Sequence, residues 1–284
     1  MNILVTGSNG YIGSSIINKS ENNKNHYFHG SRENINLLDK NNIIDYIKRN
    51  KIDSIIHCAI KGGNRTRTDS ESDFYDNLLI SENILCVSNY VNKIINIASG
   101  AEYDRTNDIK DFSEDRIFIE SPKDYYGLAK NLIAKRFYQH ANNTFNIRVF
   151  GCFDENELDT RFIKSCIINN RLNKKMQIHE DKIMDFIYFD DLLKIINYIL
   201  FTENPIQKDL NASYSQKLKL SEIAYFINNI NREQVEILIE KHNTRLNYCG
   251  NSNRLDSLNL RLDGLTTGIT KTNNKINENI YRWT

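Results

Sequence analysis

The chain has 284 residues, of which 40% are hydrophobic, and its 37 Lys and Arg against 36 Asp and Glu leave a formal net charge of +1. This length suits one large α/β unit or a main domain with a smaller one, and the balanced charge excludes a general basic field for nucleic acid or a polybasic membrane anchor. Five scattered cysteines without a C-x-x-C pair give no zinc spacing, so we expect neither a bound metal nor a disulfide framework.

No apolar run approaches the roughly 20 residues of a membrane span. The N-terminus enters a predicted strand directly, without a charged leader or a secretory apolar core. We therefore expect a cytoplasmic protein that has neither a membrane nor a nucleic acid as partner.

The first predicted strand ends in a glycine-rich turn. A short apolar run over residues 3–5 precedes the turn, and a helix-compatible segment over 11–17 follows it; the glycines are Gly7, Gly10 and Gly13. Such a turn points backbone N–H groups and a helix N-terminus at a phosphate, and glycine lets the chain approach it closely. The pattern predicts a dinucleotide site, with a structural βα turn as the alternative.

The second predicted strand, over residues 26–29, is followed by Gly30, Ser31 and Arg32. An acid at this point would accept hydrogen bonds from a ribose diol, whereas a cation and a hydroxyl suit a 2′-phosphate. Ser31 and Arg32 therefore favour NADP(H) over NAD(H). Two alternatives stay open: Arg32 is an ordinary solvated residue, or Glu33, one place later, serves a diol.

Helices and strands continue to alternate along the first half: a helix over 41–51, a strand over 54–59, a helix over 72–91 and a strand over 93–98. His57 and Cys58 are expected in or near the core rather than as metal ligands. Residues 61–63, Lys-Gly-Gly, form a predicted loop beside the cofactor. The last strand delivers Ser99 at its carboxyl end, where open parallel sheets bind ligands.

A helix is predicted from Asp124 to about His140, and it carries Tyr126 and Lys130 four residues apart. This spacing puts both side chains on one helix face. A tyrosine, with an unperturbed pKa of about 10, becomes a useful proton donor near neutral pH when a neighbouring ammonium favours its phenolate. With the glycine turn and Ser99, the pair predicts a catalytic group; a surface pair is the alternative.

The second half is less regular. It contains a predicted helix over 162–170, an extended piece over 174–178, a capped helix that begins near residues 190–191 and returns to the main domain, and a helix over 221–231. We predict an α/β protein with a Rossmann-type doubly wound parallel sheet and a smaller C-terminal α/β substrate domain. Residues 1–155, with a return of about 185–202, form the predicted NADP-binding domain, and 156–284 mainly bind substrate.

These motifs together resemble the extended short-chain dehydrogenase/reductases, the class that modifies nucleotide-activated sugars. Within that class they are most similar to the GDP-fucose synthase family of 3,5-epimerase/4-reductases. The resemblance covers about residues 1–200 and is carried by the segments 7–13, 31–39, 59–63, 77–84, 91–93, 99–103, 126–130 and 185–191.

The resemblance implies a catalytic triad of Ser99, Tyr126 and Lys130. It implies NADP(H) as cofactor, bound by Gly7, Ser8, Asn9, Gly10, Tyr11, Ile12, Gly13, Ser31, Arg32, Leu37, Ala59, Lys61 and Lys130. The second half would cover a nucleotide-sugar substrate, with Ala101, Arg161, Lys182 and Arg254 as candidate contacts. Relatives often dimerise through two helices of the main domain, which makes a homodimer the expectation by analogy.

The chain departs from that family where the epimerase chemistry lies. In the double-function enzymes a cysteine two residues after the catalytic serine and a histidine on a later helix exchange protons with the sugar. Ala101 and Arg161 stand at these places, and neither side chain is an acid or base near neutral pH. The Asp-Glu pair of the 4,6-dehydratases is likewise replaced by Gly100 and Ala101.

The resemblance and these departures together predict an NADPH-dependent reductase of the C4 keto group of a nucleotide-linked 4-keto-6-deoxysugar, hexose or heptose, with GDP favoured. One alternative is a 4-epimerase that keeps NAD bound. Another, from a different class, is a non-catalytic NADP-binding sensor on the same fold.

Overall fold

A computed structural model describes residues 1–20, 24–63, 67–242 and 246–278. The strands are β1 (Asn2–Thr6), β2 (His26–Gly30), β3 (Ser54–His57), β4 (Lys93–Ser99), β5 (Ile109–Phe112), β6 (Thr144–Val149), β7 (Cys152–Phe153), β8 (Met176–Glu180), β9 (Ile187–Tyr188), β10 (Asp209–Ala212), β11 (Ile237–Lys241) and β12 (Tyr248–Gly250). The helices are α1 (Tyr11–Ser20), α2 (Lys40–Asn50), α3 (Glu71–Leu85), α4 (Tyr125–His140), α5 (Phe162–Arg171), α6 (Phe189–Phe201), α7 (Leu220–Asn231), α8 (Asn253–Asp256) and α9 (Leu265–Glu278). Short 3₁₀ turns lie at Ser88–Tyr90, Gly100–Glu102 and Glu114–Phe118.

The central sheet has six strands in the order β10-β6-β4-β3-β1-β2. Strand β1 pairs in parallel with β2 on one side and with β3 on the other, and β3 pairs in parallel with β4. The chain therefore reverses direction across the sheet at β1, and ligands of open α/β sheets bind at the carboxyl ends of strands beside such a point. The predicted α/β fold with a doubly wound parallel sheet is confirmed.

The chain divides into two compact units. The first comprises residues 1–104, 114–148 and 196–210, and the second comprises 105–113, 149–195 and 211–284. A buried apolar cluster in the first unit joins the sheet to its helices through residues such as Leu4, Ile47, Ile94 and Phe137. A separate cluster, with Ile167, Ile178 and Ile223 among its members, forms the core of the second unit.

Side-chain caps fix where the helices of the first unit begin. Asp39 accepts from the backbone N–H groups of Asn41 and Asn42 at the start of α2, and Asp124 accepts from that of Gly127 at the start of α4. Ser70 and Asp73 form a reciprocal capping box on α3. Each cap satisfies N–H groups that have no partner within the helix, so these starts are encoded locally.

The helix expected over 72–91 ends earlier, at Leu85, and a 3₁₀ turn over Ser88–Tyr90 follows it. The amide of Asn143 donates to the carbonyls of Ser88 and Val91 and so holds this turn from a distant part of the chain. None of the described helices is both long and apolar enough to cross a membrane.

Candidate functional site

The glycine turn after β1 packs closely on the backbone that follows β3. Gly7 has φ +66°, and a Cβ there would lie 2.7 Å from the backbone nitrogen of Ala59. A side chain at this position would meet both backbone strain and a backbone clash. The buried hydroxyl of Ser8 has no hydrogen-bond partner among the described residues, so the turn carries a polar group available to a ligand.

A cavity of about 780 Å³ opens at the carboxyl ends of β1, β2 and β3. Eight of the residues predicted to bind the cofactor line it: Gly7, Asn9, Gly10, Ser31, Arg32, Leu37, Ala59 and Lys61. The remaining predicted contacts, Ser8, Tyr11, Ile12, Gly13 and Lys130, are not part of this lining. Residues outside that prediction also line it, among them Asn36, Cys58, Ile60 and Ile80.

The end of β2 places Ser31, Arg32 and Glu33 together on the cavity wall. Ser31 is buried, whereas Arg32 and Glu33 are exposed. An exposed guanidinium on a cavity wall can form paired hydrogen bonds with a phosphate, and Glu33 adds an acceptor beside it.

The loop after β3 is clamped by α3 and packs on Tyr126. The Asn77 side chain accepts from the backbone N–H of Lys61 at 2.7 Å and donates to its carbonyl at 2.8 Å, while the Lys61 ammonium pairs with Asp76. Gly63, with φ +69°, faces the ring of Tyr126 so closely that a Cβ would lie 2.6 Å from a ring carbon. The loop therefore fixes one side of that ring.

Ser99 lies at the carboxyl end of β4, as predicted, and is half-buried. Its hydroxyl oxygen accepts from the N–H of Ala101, and its own N–H donates to Glu102 Oε1 at 2.8 Å. A hydroxyl that accepts in this way still has its proton to donate. The turn thus fixes both the backbone N–H and the hydroxyl oxygen of Ser99, and the hydroxyl proton stays available to a ligand.

Helix α4 carries Tyr126 and, one turn later, Lys130. Lys130 is 5% exposed, and its ammonium donates to the carbonyl of Ile97 on β4 at 2.8 Å. The neighbouring Asn131 donates to the carbonyl of Glu102 at 2.8 Å. Helix α4 is therefore fastened to the end of β4 on both sides of Ser99.

A buried ion cluster lies beneath this turn. Arg148 on β6 is completely buried, and its Nε donates to Glu102 Oε2 at 2.6 Å while an Nη lies 3.3 Å from Asp209 Oδ2. Burial opposes the guanidinium charge, but Asp209 and Glu102 hold the pKa of Arg148 well above its usual value. Because both oxygens of Glu102 accept from N–H donors and Arg148 stays charged, we assign Glu102 as a carboxylate, although burial raises its pKa.

Two further titratable groups, at the end of β3 and just after it, lie near Lys130. His57 is 3% exposed and hydrogen-bonded to Thr6; burial, with the nearby Lys130 charge, lowers the pKa of His57 to about 3. Burial raises the pKa of the Cys58 thiol to about 12. Both groups are therefore neutral at physiological pH, and burial lowers the pKa of Lys130 while Glu102 acts against that shift.

The candidate substrate contacts lie apart in the chain. Ala101 belongs to the turn after β4 and is 2% exposed. Arg161, in the second unit, precedes α5 and forms an ion pair with Glu157 at 3.0 Å. Lys182 is half-buried beside β8, and Arg254 is half-buried on α8.

A parallel sheet with a glycine turn after β1, with Ser99 at the end of β4 and with Tyr126 and Lys130 on α4, has the features expected of a dinucleotide-binding protein of the extended short-chain dehydrogenase/reductase class. A family model described as "NAD dependent epimerase/dehydratase family" matches residues 3–213. The chain belongs to this family, and the prediction of an enzyme of this class that depends on a nicotinamide dinucleotide is confirmed.

Three relatives show the range of similarity. A GDP-L-colitose synthase from Yersinia pseudotuberculosis is 26% identical over 306 residues, covering 96% of each chain. A GDP-mannoheptose C4 reductase from Campylobacter jejuni, solved with NADP bound, superposes with a TM-score of 0.78 at 18% identity over 95% of this chain and 96% of its own. A GDP-L-fucose synthetase from Naegleria fowleri, bound to NADP, gives a TM-score of 0.78 at 16% identity over 99% and 93%. The prediction of NADP(H) as cofactor agrees with these two structures.

Sequence reasoning missed Glu102, Arg148, Asp209 and the loop clamp Asn77. Glu102 had a signal, because Ser99-Gly100-Ala101-Glu102 is a capping-box pattern after a strand. Arg148 had none: a single arginine inside a strand gives no hint that two distant acids will neutralise it.

Proposed function

We propose that this chain is an NADPH-dependent reductase of the C4 keto group of a GDP-linked 4-keto-6-deoxysugar, hexose or heptose, without 3,5-epimerase activity. The observation that carries the proposal is the end of β4. There Ser99 is held by its own turn, and α4 brings Lys130 to the carbonyl of Ile97 one helical turn after Tyr126.

The first unit fits the cofactor. Gly7, Asn9 and Gly10 of the glycine turn line the cavity, and the buried Ser8 hydroxyl lies within that turn. We propose that the turn binds the diphosphate, that Arg32 and Ser31 bind the 2′-phosphate, and that Lys130 binds the nicotinamide ribose. When bound, the reduced nicotinamide supplies the hydride for the carbonyl carbon.

The side chains at β4 and α4 would act on the carbonyl oxygen. Ser99 donates its hydroxyl proton in a hydrogen bond to that oxygen and stabilises the negative charge that develops there. Tyr126 transfers its phenolic proton to the same oxygen, which completes the alcohol, and the Lys130 ammonium stabilises the phenolate left behind. The O–H bond of Tyr126 breaks and the O–H bond of the product forms.

The side chains of Ala101 and Arg161 support the loss of 3,5-epimerase activity. The side chain of Ala101 has no exchangeable proton, and the residue is 2% exposed. Arg161 is engaged by Glu157 and stays charged, so it makes a poor acid or base.

The substrate class is supported by relatives whose names contain a GDP-linked sugar: the colitose synthase, the mannoheptose C4 reductase and the fucose synthetase. One of these names contains a heptose. For this reason we propose GDP as the nucleotide and test both hexose and heptose substrates.

Purified protein is incubated with NADPH and a panel of GDP-, CDP-, UDP- and dTDP-linked 4-keto-6-deoxysugars, including heptose forms. We expect loss of NADPH absorbance with a GDP-linked member, and NMR of the product shows a new C4 hydroxyl without deuterium uptake at C3 or C5 in D₂O. Tyr126→Phe should abolish turnover and retain NADPH binding. Failure of every panel member to oxidise NADPH would contradict the proposal.

One observation favours a second candidate, an NAD-dependent 4-epimerase: Glu33 lies on the cavity wall beside Arg32. A 4-epimerase would retain oxidised cofactor through purification. Mass spectrometry of the nucleotide released from purified protein separates the two, because NAD would favour the epimerase and NADP the reductase.

A further inference from the structure

We propose that Glu102 is a positioning residue that keeps Ser99 in place and acts as the counter-charge that keeps Lys130 an ammonium in its buried position. The inference rests on the proposed reductase mechanism, which requires Lys130 to be charged. It assigns a function to an acid that contacts neither cofactor nor substrate in that mechanism.

Glu102 accepts a hydrogen bond on each of its two carboxylate oxygens. One carboxylate oxygen accepts from the backbone N–H of Ser99 at 2.8 Å, and the other accepts from Arg148 Nε at 2.6 Å. Its side chain is completely buried. The carboxylate is hydrogen-bonded directly to the main chain of Ser99, so a movement of the carboxylate would also move that main chain.

Lys130 and Glu102 both bind backbone groups of β4. Lys130 is bonded to the carbonyl of Ile97 and Glu102 to the N–H of Ser99, two residues along the same strand. Backbone groups two residues apart on a strand point to the same edge, and they are separated by about 7 Å of strand. The ammonium and the carboxylate consequently lie at one edge of β4, in a buried environment that screens their attraction poorly.

The charged groups around Lys130 and Glu102 differ. Around Lys130, β3 contributes His57 and the residue after the strand is Cys58; both are neutral at physiological pH. Around Glu102, β6 contributes Arg148, β10 contributes Asp209, and Tyr103 and Glu114 lie beside the cluster. Arg148 is shared with Asp209, so the negative charge of Glu102 is not cancelled by the guanidinium alone.

The test compares Glu102→Gln with Asp209→Asn. Both variants remove one buried negative charge from Arg148, but only the first removes the charge near Lys130, while its amide oxygen can still accept from the N–H of Ser99. Two hydrogen bonds of 2.8 Å and about 7 Å of strand put the two charges at most about 13 Å apart. Removing a unit charge within that distance, at an effective dielectric constant of about 20, lowers a pKa by at least about 1 unit. We expect Glu102→Gln to move the alkaline limb of the pH profile of kcat down by at least about 1 unit. Asp209→Asn should leave the limb in place.

A second measurement does not depend on turnover. NMR of ¹³C-labelled lysine, with Lys130→Arg to assign the signal, reports the Lys130 pKa directly. We expect Lys130 to be an ammonium at neutral pH in the wild type, to titrate at lower pH in Glu102→Gln, and to stay near the wild-type value in Glu102→Asp, which keeps the charge.

The outcomes separate the two proposals. If Glu102→Gln lowers kcat equally at every pH and the Lys130 titration is unchanged, Glu102 is only a structural tie and the inference is wrong. If the wild type reduces no sugar nucleotide but the Lys130 titration shifts as expected, the reductase proposal fails and the inference holds. If Glu102→Gln does not fold, two other results would overturn the inference. One is a neutral Lys130 in the wild type at neutral pH, and the other is a large change in the Lys130 pKa in Glu102→Asp.

Discussion

Replacing Gly63 by alanine tests whether the loop after β3 holds Tyr126 in the position proposed for proton transfer. A Cβ at Gly63 would lie 2.6 Å from a ring carbon of Tyr126, whereas an ordinary carbon–carbon contact is about 3.6 Å. The ring or the loop must therefore move by about 1 Å. A displacement of that size at a reacting group lowers kcat by on the order of 100-fold.

The substitution also has a backbone cost, which a matched control isolates. Gly63 has φ +69°, and alanine in this left-handed region costs about 1 to 2 kcal/mol. Gly264 has φ +82°, and nothing in the described part of the chain lies within 4 Å of a Cβ there. Gly264→Ala therefore reproduces the backbone strain without a clash.

The assay is NADPH oxidation at saturating sugar nucleotide, with Tm measured for each variant. We expect both variants to lower Tm by a few degrees, about 2–4 °C per kcal/mol. Only Gly63→Ala should lose kcat, and its NADPH affinity should change much less. If Gly63→Ala kept the wild-type kcat while its Tm fell as in Gly264→Ala, the loop would not position Tyr126.

Three further predictions follow from other contacts. Arg32→Ala should weaken NADPH binding about 10-fold or more and leave NADH binding nearly unchanged, because the lost guanidinium would contact only the 2′-phosphate; equal losses for both cofactors, measured by fluorescence titration, would argue against that contact. Asn77→Ala should remove both hydrogen bonds to the Lys61 backbone and destabilise the protein by about 1–3 kcal/mol in urea unfolding; an unchanged midpoint would show that the loop does not depend on this clamp. Burial raises the pKa of Glu157 from 4.5 to about 7, so the folded protein binds a proton that the unfolded chain has already lost, and stability should fall as pH rises through this interval. Glu157→Gln should flatten the pH dependence of Tm, and parallel Tm curves for variant and wild type would refute the assignment.

Much of the first unit can be predicted from the sequence because its signals are local. The glycine turn, the apolar strands and the capped helix starts each depend on residues a few positions apart. The six-stranded sheet and the position of Ser99 at the end of β4 agree with what those signals predict. Most of the residues that were predicted at the ends of β1 and β2 to bind the cofactor line one cavity.

Strand β6 shows where local signals fail. Its sequence, Thr-Phe-Asn-Ile-Arg-Val, has three polar residues among six, yet the whole strand is buried. Asn146 is satisfied by Asn96 on β4, and Arg148 by acids that lie 46 and 61 residues away in the chain. Burying these groups is costly unless each meets its partner, so the strand is stable only once the sheet has assembled.

The sequence by itself therefore determined the class of fold, the glycine turn proposed to bind phosphate and the three side chains proposed for catalysis. The tertiary structure alone decided what surrounds them: the Asn77 clamp, the contact of Gly63 with Tyr126 and the Glu102–Arg148–Asp209 cluster beneath Ser99. The physical reason is the range of the interactions. Periodicity, caps and turns act within a few residues, whereas a buried charge is stabilised by whichever distant groups the fold brings next to it.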